Sequence, residues 1–177
     1  MTQIAQKLEK TFEALKPAMG YQGQMQAPRL EKVVLSVGVG SVKDKKKLEV
    51  IEDRLAKITG QKPSPRPAKI SIANFKSRQG EIVGYQITLR GKRMIDFLER
   101  FIRIALPRSK DFKGISSDFL DDIGNLTIGI KEHTIFPETS DEDIKDVFGL
   151  AVTIVTTAKN KPEAEAFFRH LGLPFKK

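Results

Sequence analysis

The stretch from residue 82 to residue 106 changes its hydrophobic period partway along. In IVGYQITLR, apolar and polar residues alternate, and the apolar row is Val83, Tyr85, Ile87 and Leu89. From Lys92 onward the apolar residues recur at helical spacing, and charged residues fill the other side. A strand with one apolar face must bury that face against a second layer, and an amphipathic helix supplies such a layer. This restricts the chain to folds in which helices cover a sheet.

Other segments repeat these two periods. Alternation predicts strands over residues 29–41, 68–73, 125–131 and 150–158, and a turn at Gly80 joins the second of these to 82–90 as a hairpin. Helical spacing predicts helices over residues 2–16, 44–58, 92–106 and 162–171, and the predicted stops are Pro17 together with Gly20, Gly60, and Pro107. We therefore predict an α+β fold, with a single, mainly antiparallel β-sheet, helices packed on one face and the opposite face left open. The whole chain, residues 1–177, is expected to form one domain.

Charge is distributed unevenly along the 177 residues. The net charge is +9, and residues 61–113 alone hold 13 Lys+Arg against 4 Asp+Glu. Residues 118–146 reverse this balance, with 2 Lys+Arg against 9 Asp+Glu. Within the basic part, residues 60–80 carry five cations and no carboxylate. Such a basic block favours a polyanionic partner, because binding neutralises phosphates and releases counterions.

Residues that carry most enzyme chemistry are absent or badly spaced. The chain has no cysteine, and its two histidines, His133 and His170, lack metal-ligand spacing, so we expect surface or capping roles for both. Gly38 and Gly40 follow a strand, but Lys43 stands where a dinucleotide fingerprint needs its third glycine. No metal, cofactor or catalytic residue is expected. No apolar run approaches the roughly 18 residues that a membrane helix needs.

Among nucleic acids, structured RNA fits the pattern best. No helix carries a clear DNA-recognition face, whereas RNA is recognised largely through shape, phosphates and 2′-hydroxyls. The proline-rich arm 62–67 is preset in an extended form, which lowers the ordering cost of binding. The residues leave two other hypotheses open. One is an RNA-modifying or RNA-processing enzyme that uses the same basic surface, and the other is a free RNA chaperone that does not belong to one particular complex.

Six stretches together resemble one known family. They are PRLEKVVLSVGVG, ITGQKP, SIANFKSRQGEIVGYQITLRGKRMIDFLERFI, ALPRSKDFKGIS, GNLTIGIKEHTIFPE and TTAKNKPEAEAFFRHLGLPF. Over nearly its whole length the chain resembles the bacterial large-subunit ribosomal proteins that bind 5S ribosomal RNA, the fifth in the large-subunit numbering. The resemblance implies a structural protein, not an enzyme, in the central protuberance of the large subunit of the cytoplasmic ribosome.

The resemblance also implies a set of partners. The protein would attach 5S RNA to the 23S-type RNA of the large subunit, beside other 5S-associated large-subunit proteins. One loop would reach the P-site tRNA, and the acidic part, about residues 108–146, would meet a basic protein of the small-subunit head in an inter-subunit bridge. A protein partner there agrees with the charge reversal, because carboxylates repel phosphates. No membrane partner and no homo-oligomer are expected.

The positions that match the family supply three sets of candidate residues. The 5S set is Leu35, Ser36, Val37, Gln61, Lys62, Pro63, Lys69, Thr88 and Arg90. The tRNA loop is Asn74, Phe75, Lys76, Ser77, Arg78, Gln79 and Gly80. The bridge set is Asp111, Asp118, Asp121, Asp122, Glu138, Asp141, Glu142 and Asp143. Ser36 stands where the family often has Asn, so one amide contact to RNA is expected to be lost or replaced. Pro65 and Pro67 also depart from the family pattern, so the contacts of the arm 62–67 are expected to differ in detail.

Overall fold

A computed structural model describes residues 2–42, 44–75, 77–110, 112–139 and 147–176. Within these ranges the strands are β1 (Leu30–Gly38), β2 (Ser64–Pro67), β3 (Ile82–Leu89), β4 (Leu126–Ile130) and β5 (Leu150–Thr156). They form one antiparallel sheet of five strands in the order β2-β3-β1-β5-β4. The prediction of an α+β fold with a single, mainly antiparallel sheet is confirmed.

The predicted helices 44–58 and 162–171 are found close to those positions, whereas the predicted helix 2–16 is divided at Lys10 and the predicted helix 92–106 contains a π-helical turn. The helices of the described residues are α1 (Gln3–Glu9), α2 (Thr11–Met19), α3 (Lys45–Thr59), α4 (Gly91–Arg100), α5 (Leu106–Arg108) and α6 (Lys161–Leu171). A π-helical turn, Phe101–Ala105, joins α4 to α5. Pro17 lies inside α2 and Pro107 inside α5, so the prediction that these prolines stop helices is wrong. A proline late in a helix removes only one hydrogen bond, and Gly20, which was predicted to act with Pro17, ends α2 in a left-handed conformation.

The first strand of the predicted hairpin lies earlier in the chain than expected. β2 covers residues 64–67 and pairs antiparallel with β3, whereas residues 68–75 and 77–81 contain no strand of the sheet. The prediction of a strand over 68–73 is therefore wrong, and Ile70 and Ile72 are 71% and 44% exposed. β2 lies at the edge of the sheet, where a proline that lacks an N–H can turn its nitrogen away from the neighbouring strand.

The strands β3, β4 and β5 bury alternate side chains, whereas β2 is exposed along its whole length. In β5 the buried row is Leu150, Val152, Ile154 and Thr156, and in β4 it is Leu126, Ile128 and Ile130. In β3 the residues between the buried ones are small or polar and only half-buried, namely Gly84, Gln86 and Thr88. This is the period of two that the sequence predicts, and the opposite row holds mainly small or polar residues in β3 and β4 and Ala151, Thr153 and Val155 in β5.

The chain forms two compact units. The first comprises Met1–Val33, Leu89–Ile128 and Thr153–Lys177, and the second comprises Val34–Thr88 and Gly129–Val152. In the first unit α1 packs against α2, α4 and α6, and the large side chains buried there include Phe97, Phe101, Phe167 and Phe168. In the second unit α3 buries the apolar row Ile51, Leu55 and Ile58.

Candidate nucleic-acid interface

A cavity of about 520 Å³ lies against the strands of the second unit. We call it the sheet groove, and its lining residues are Ser36, Val37, Gly38, Arg66, Gly84, Tyr85, Gln86, Gly149, Leu150 and Ala151. Half of these residues are Gly, Ala or Ser, so the floor is low and another molecule's backbone can approach the strands closely. Of the ten, Arg66 alone carries a formal charge at neutral pH.

Glycine is required in the floor of the sheet groove for a geometric reason. A Cβ built on Gly84 would lie 2.9 Å from the carbonyl oxygen of Val37. A Cβ on Gly149 would lie 3.0 Å from the carbonyl oxygen of Ile130. Real Cβ atoms do not approach carbonyl oxygens so closely, so any larger residue would push neighbouring backbone aside. Glycine here lets the backbones pack and keeps the groove open.

Two members of the 5S set are joined directly to each other. The side-chain amide of Gln61 donates a hydrogen bond of 3.4 Å to the carbonyl oxygen of Thr88. The chain reaches this position through Gly60, which ends α3 with a φ of 68°. Gln61 and Thr88 are both half-buried, so each keeps part of its polar side chain at the surface. The bond brings the loop after α3 to the end of β3.

Three residues of the 5S set lie in the core. Leu35 and Val37 are 1% and 3% exposed, and Pro63 is buried too. Ser36, between the first two, is exposed on the other side of β1. Alternation along a strand turns neighbouring side chains to opposite faces, so on the side of Ser36 a ligand can meet only the backbone of Leu35 and Val37. Any contact of Leu35, Val37 or Pro63 with RNA is therefore left to their backbone atoms, and their place in the 5S set stays a prediction.

The cations of the 5S set are exposed, and the ion pairs that two of them form are weak. Lys62 Nζ lies 3.3 Å from a Glu52 carboxylate oxygen, yet its side chain is 84% exposed. Arg90 belongs to the first unit, where its guanidinium lies 3.7 Å from a carboxylate oxygen of Glu31. Lys69 is exposed. Exposed ion pairs of this kind contribute about 0–1 kcal/mol, so a phosphate can displace the carboxylate at small cost.

The tRNA loop is closed by hydrogen bonds of its own segment. Ile72 and Ser77 exchange two backbone hydrogen bonds of 3.1 and 3.3 Å. The hydroxyl of Ser71 accepts a bond of 2.9 Å from the N–H of Gln79. The N–H of Gly80, whose φ is 86°, donates to the carbonyl oxygen of Ala68 at 3.0 Å. These bonds hold the described part of the loop in a defined shape without any partner.

The loop presents one aromatic ring among polar groups. Phe75 is 78% exposed, and Asn74, Arg78 and Gln79 are exposed as well. Ser77 is half-buried, because it takes part in the closing bonds. Lys76 lies outside the described residues. An exposed phenyl ring and an exposed guanidinium in one loop suit a nucleic acid with an accessible base.

The bridge set is divided between the two units. Three of its carboxylates lie in the first unit and are exposed, namely Asp118, Asp121 and Asp122. Asp118 accepts a hydrogen bond of 2.8 Å from Ser116 Oγ, and Asp121 accepts one of 2.8 Å from the side-chain amide of Asn125. Glu138 lies in the second unit and is half-buried. The remaining members lie outside the described residues: Asp111, Asp141, Glu142 and Asp143.

His133 is a core residue, so the prediction of a surface or capping role is wrong for it. It is 0% exposed, its ring stacks on Phe148 at 4.1 Å between centroids, and its Nδ1 accepts a 3.3 Å bond from the N–H of Phe148. His170, in the last turn of α6, donates from Nε2 to the carbonyl oxygen of Lys7 at 2.8 Å. The described ranges contain no group of three His, Cys, Asp or Glu residues suited to a metal ion. No helix in those ranges has the length and apolar character to cross a membrane.

Comparison with known proteins decides the family. The model of Ribosomal protein L5 matches residues 24–78, and the model of the C-terminus of the same ribosomal family matches residues 82–175. The chain belongs to the ribosomal protein L5 family. The Large ribosomal subunit protein uL5 of Thermoanaerobacter sp. (strain X514) is 46% identical over the full length of both chains. Its namesakes in Anaeromyxobacter sp. (strain K) and Ureaplasma urealyticum serovar 10 are 45% and 49% identical over 98% of this chain, which is 97% and 91% of theirs.

Membership of the L5 family establishes the class of function. This L5-family chain is a structural constituent of the large ribosomal subunit, associates with ribosomal RNA and is not an enzyme. The hypothesis of an RNA-modifying enzyme is therefore excluded. A structural constituent of the subunit belongs to one particular complex, which also argues against a free RNA chaperone.

Of the ten groove residues of this L5-family chain, the 5S set contains only Ser36 and Val37, and the eight that it missed include Gly38, Arg66 and Gln86. Arg66 was missed because residues 62–67 were interpreted as a free arm, which left its side chain without a place on the sheet. The available signal was the repeat of proline at every second position, Pro65 and Pro67. A strand with prolines of one parity can still pair through the residues between them, provided that it lies at a sheet edge.

Proposed function

We propose that this protein binds 5S ribosomal RNA through the polar side of the strands in its second unit, and so attaches that RNA to the 23S-type RNA of the large subunit. The observation that carries the proposal is the sheet groove, which has a glycine floor and no carboxylate among its lining residues. Ser36 and Gln86 add hydrogen-bonding groups to that lining. RNA offers phosphates and 2′-hydroxyls to such a surface.

The rest of the 5S set has two roles in this proposal. Gln61 and Thr88, already joined by a hydrogen bond, read the local shape of the RNA with their remaining polar atoms. Lys62, Lys69 and Arg90 contact phosphates and set the position of the protein. Their exposure and the small strength of their ion pairs support this role.

We further propose that the tRNA loop contacts the P-site tRNA. Its self-bonded closure supports the idea, because a loop that is already folded loses little entropy when it binds. Phe75 would stack on an accessible base, and Arg78 would contact the backbone. Lys76, outside the described residues, would add a second cation.

The bridge set is proposed to meet a basic protein of the small-subunit head. Exposed carboxylates at Asp118, Asp121 and Asp122 support a basic protein rather than RNA as the partner. The proposal extends to Glu138 and to the four members outside the described residues. Other 5S-associated proteins of the large subunit are expected as neighbours.

The test of 5S binding uses the purified full-length chain and 5S RNA transcribed in vitro. Binding should be tight and should weaken steeply as salt rises, because phosphate contacts dominate the affinity. Joint Thr88→Ala and Arg90→Ala substitutions should weaken the complex more than Arg78→Ala, which changes only the tRNA loop. Unchanged 5S affinity in the double variant would show that the assigned surface is wrong.

A second measurement asks where the protein resides. In a sucrose gradient after a moderate salt wash, the protein should co-migrate with large subunits, and free large-subunit particles that lack it should also lack 5S RNA. Sedimentation at the top of the gradient would contradict a constitutive structural role.

A further inference from the structure

The geometry of β2 directs Arg66 over the sheet groove. Arg66 lies opposite Gly84 in the antiparallel β2–β3 register, and directly opposed residues share one face of a sheet. Gly84 has no side chain, so nothing on it competes for the space above this position. Both residues line the groove. Arg66, which has the longest side chain of the lining, therefore lies next to Gly84, which has none.

Arg66 is held in place by its neighbours in sequence. Pro65 and Pro67 flank it, and a pyrrolidine ring fixes φ near −65° on either side. Little backbone freedom remains to be lost when a ligand binds, so the ordering cost is low. The prolines also leave the outer edge of β2 with few N–H donors, which disfavours the addition of another strand there.

Within the described ranges, the guanidinium of Arg66 has no hydrogen bond or ion pair, and the residue is exposed. Burial, together with the carboxylates of Glu52 and Glu49, raises the pKa of Tyr85, so its phenol adds no negative charge to the lining. The sheet groove thus combines one unpaired cation with a neutral floor. That combination favours an anion over a cation or an apolar ligand.

We propose that Arg66 and the floor of the sheet groove form a phosphate site for the backbone of RNA. The planar guanidinium binds two oxygens of one phosphate, and the adjoining ribose rests on the floor between Gly38 and Gly84. This site deepens the proposed function and rests on it. It adds to the 5S set one residue, Arg66, that family positions do not supply.

The first test replaces Arg66 with an uncharged polar residue. Arg66→Gln should weaken binding of in vitro transcribed 5S RNA about tenfold or more, since a charge-assisted phosphate contact is lost. It should also reduce the slope of log affinity against log salt by about 1, as expected for one phosphate. Arg108→Gln is the matched control, because Arg108 is also exposed and its loss changes net charge equally.

The second test fills the floor. Nothing lies within 4 Å of a Cβ built on Gly38, and its φ suits any residue, so Gly38→Val adds a side chain without a clash in the protein. The variant should keep its thermal unfolding midpoint and still bind 5S RNA about tenfold or more weakly. Gly129→Val, in β4 and equally free of contacts, lies outside the groove lining and serves as the matched control.

The outcomes separate this site from the function on which it rests. Loss of affinity in both groove variants, with both controls like the unsubstituted protein, supports the phosphate site. If the unsubstituted protein binds 5S RNA and either groove variant binds as its control does, the site is wrong while 5S binding stands. Failure of the unsubstituted protein to bind overturns both. An affinity loss in Arg66→Gln with an unchanged salt slope also counts against a phosphate contact.

Discussion

The backbone N–H of Ile4 donates a hydrogen bond of 3.0 Å to Glu99 Oε2, and this bond ties α1 to α4 in the first unit. Thr2, the residue before α1, makes no side-chain cap, so a carboxylate from another helix satisfies one of the free N–H groups at the start of α1. Glu99 Oε1 also accepts a 2.9 Å bond from Arg103. Glu99 of α4 thus caps the start of α1 and at the same time holds the two helices together.

Loss of this carboxylate should destabilise the first unit. Glu99→Ala is expected to lower the free energy of unfolding by about 1–3 kcal/mol, because a part-buried N–H of α1 loses its acceptor. The matched control is Glu165→Ala, which removes only an i,i+4 pair with Arg169 and should cost about 0.2–0.5 kcal/mol. Urea unfolding followed by circular dichroism measures both, and equal losses would contradict the capping role.

The stabilisation by Glu99 should depend on pH. Burial by itself raises the pKa of Glu99, but the N–H of Ile4 and the guanidinium of Arg103 outweigh it and hold that pKa below its usual value of 4.5. Because the folded pKa is depressed, the contribution is complete above the unfolded value and is lost as the pH falls through the folded one. The difference in unfolding free energy between the unsubstituted protein and Glu99→Ala should therefore shrink below about pH 4.5. A difference that stays constant down to about pH 3 would count against this account.

Phe75 should act by stacking rather than as a merely apolar contact. Phe75→Ala is expected to weaken P-site tRNA binding to reconstituted ribosomes by about 1–3 kcal/mol and to leave 5S affinity unchanged. Ile70→Ala is the matched control, because Ile70 is 71% exposed in the same segment but has no ring. Equal effects of the two substitutions on tRNA binding would show that ring stacking is not involved.

Charge reversal in the acidic segment should separate bridging from RNA binding. Asp122→Lys, combined with Asp141→Lys, Glu142→Lys and Asp143→Lys, is expected to weaken subunit joining in a sucrose gradient while 5S affinity stays unchanged or rises. Asp121 is left intact, since its carboxylate holds Asn125. Glu13→Lys, an exposed reversal in α2, controls for a general change of charge. Equal loss of joining and 5S binding would argue against separate surfaces.

The helices and strands with a clear hydrophobic period were predictable, because such a period depends only on residues close together in the sequence. β3 buries Tyr85, Ile87 and Leu89 as its alternation requires, and α3 ends at Gly60, where the sequence predicts its stop. The family, too, was recognisable from ordered motifs along the chain. The location of the cationic surface followed less fully, because charge counts show which segment is basic but not which side chains share a face.

The sequence by itself determined the fold class, most of the helices and strands, and the ribosomal family. Only the tertiary structure decided that residues 64–67, rather than 68–73, pair with β3, that His133 lies in the core, and that Arg66 lies opposite Gly84. The physical reason is that strand register and burial depend on contacts between residues far apart in the chain. A local pattern states what each segment can do, and packing against the other segments selects which of those possibilities is realised.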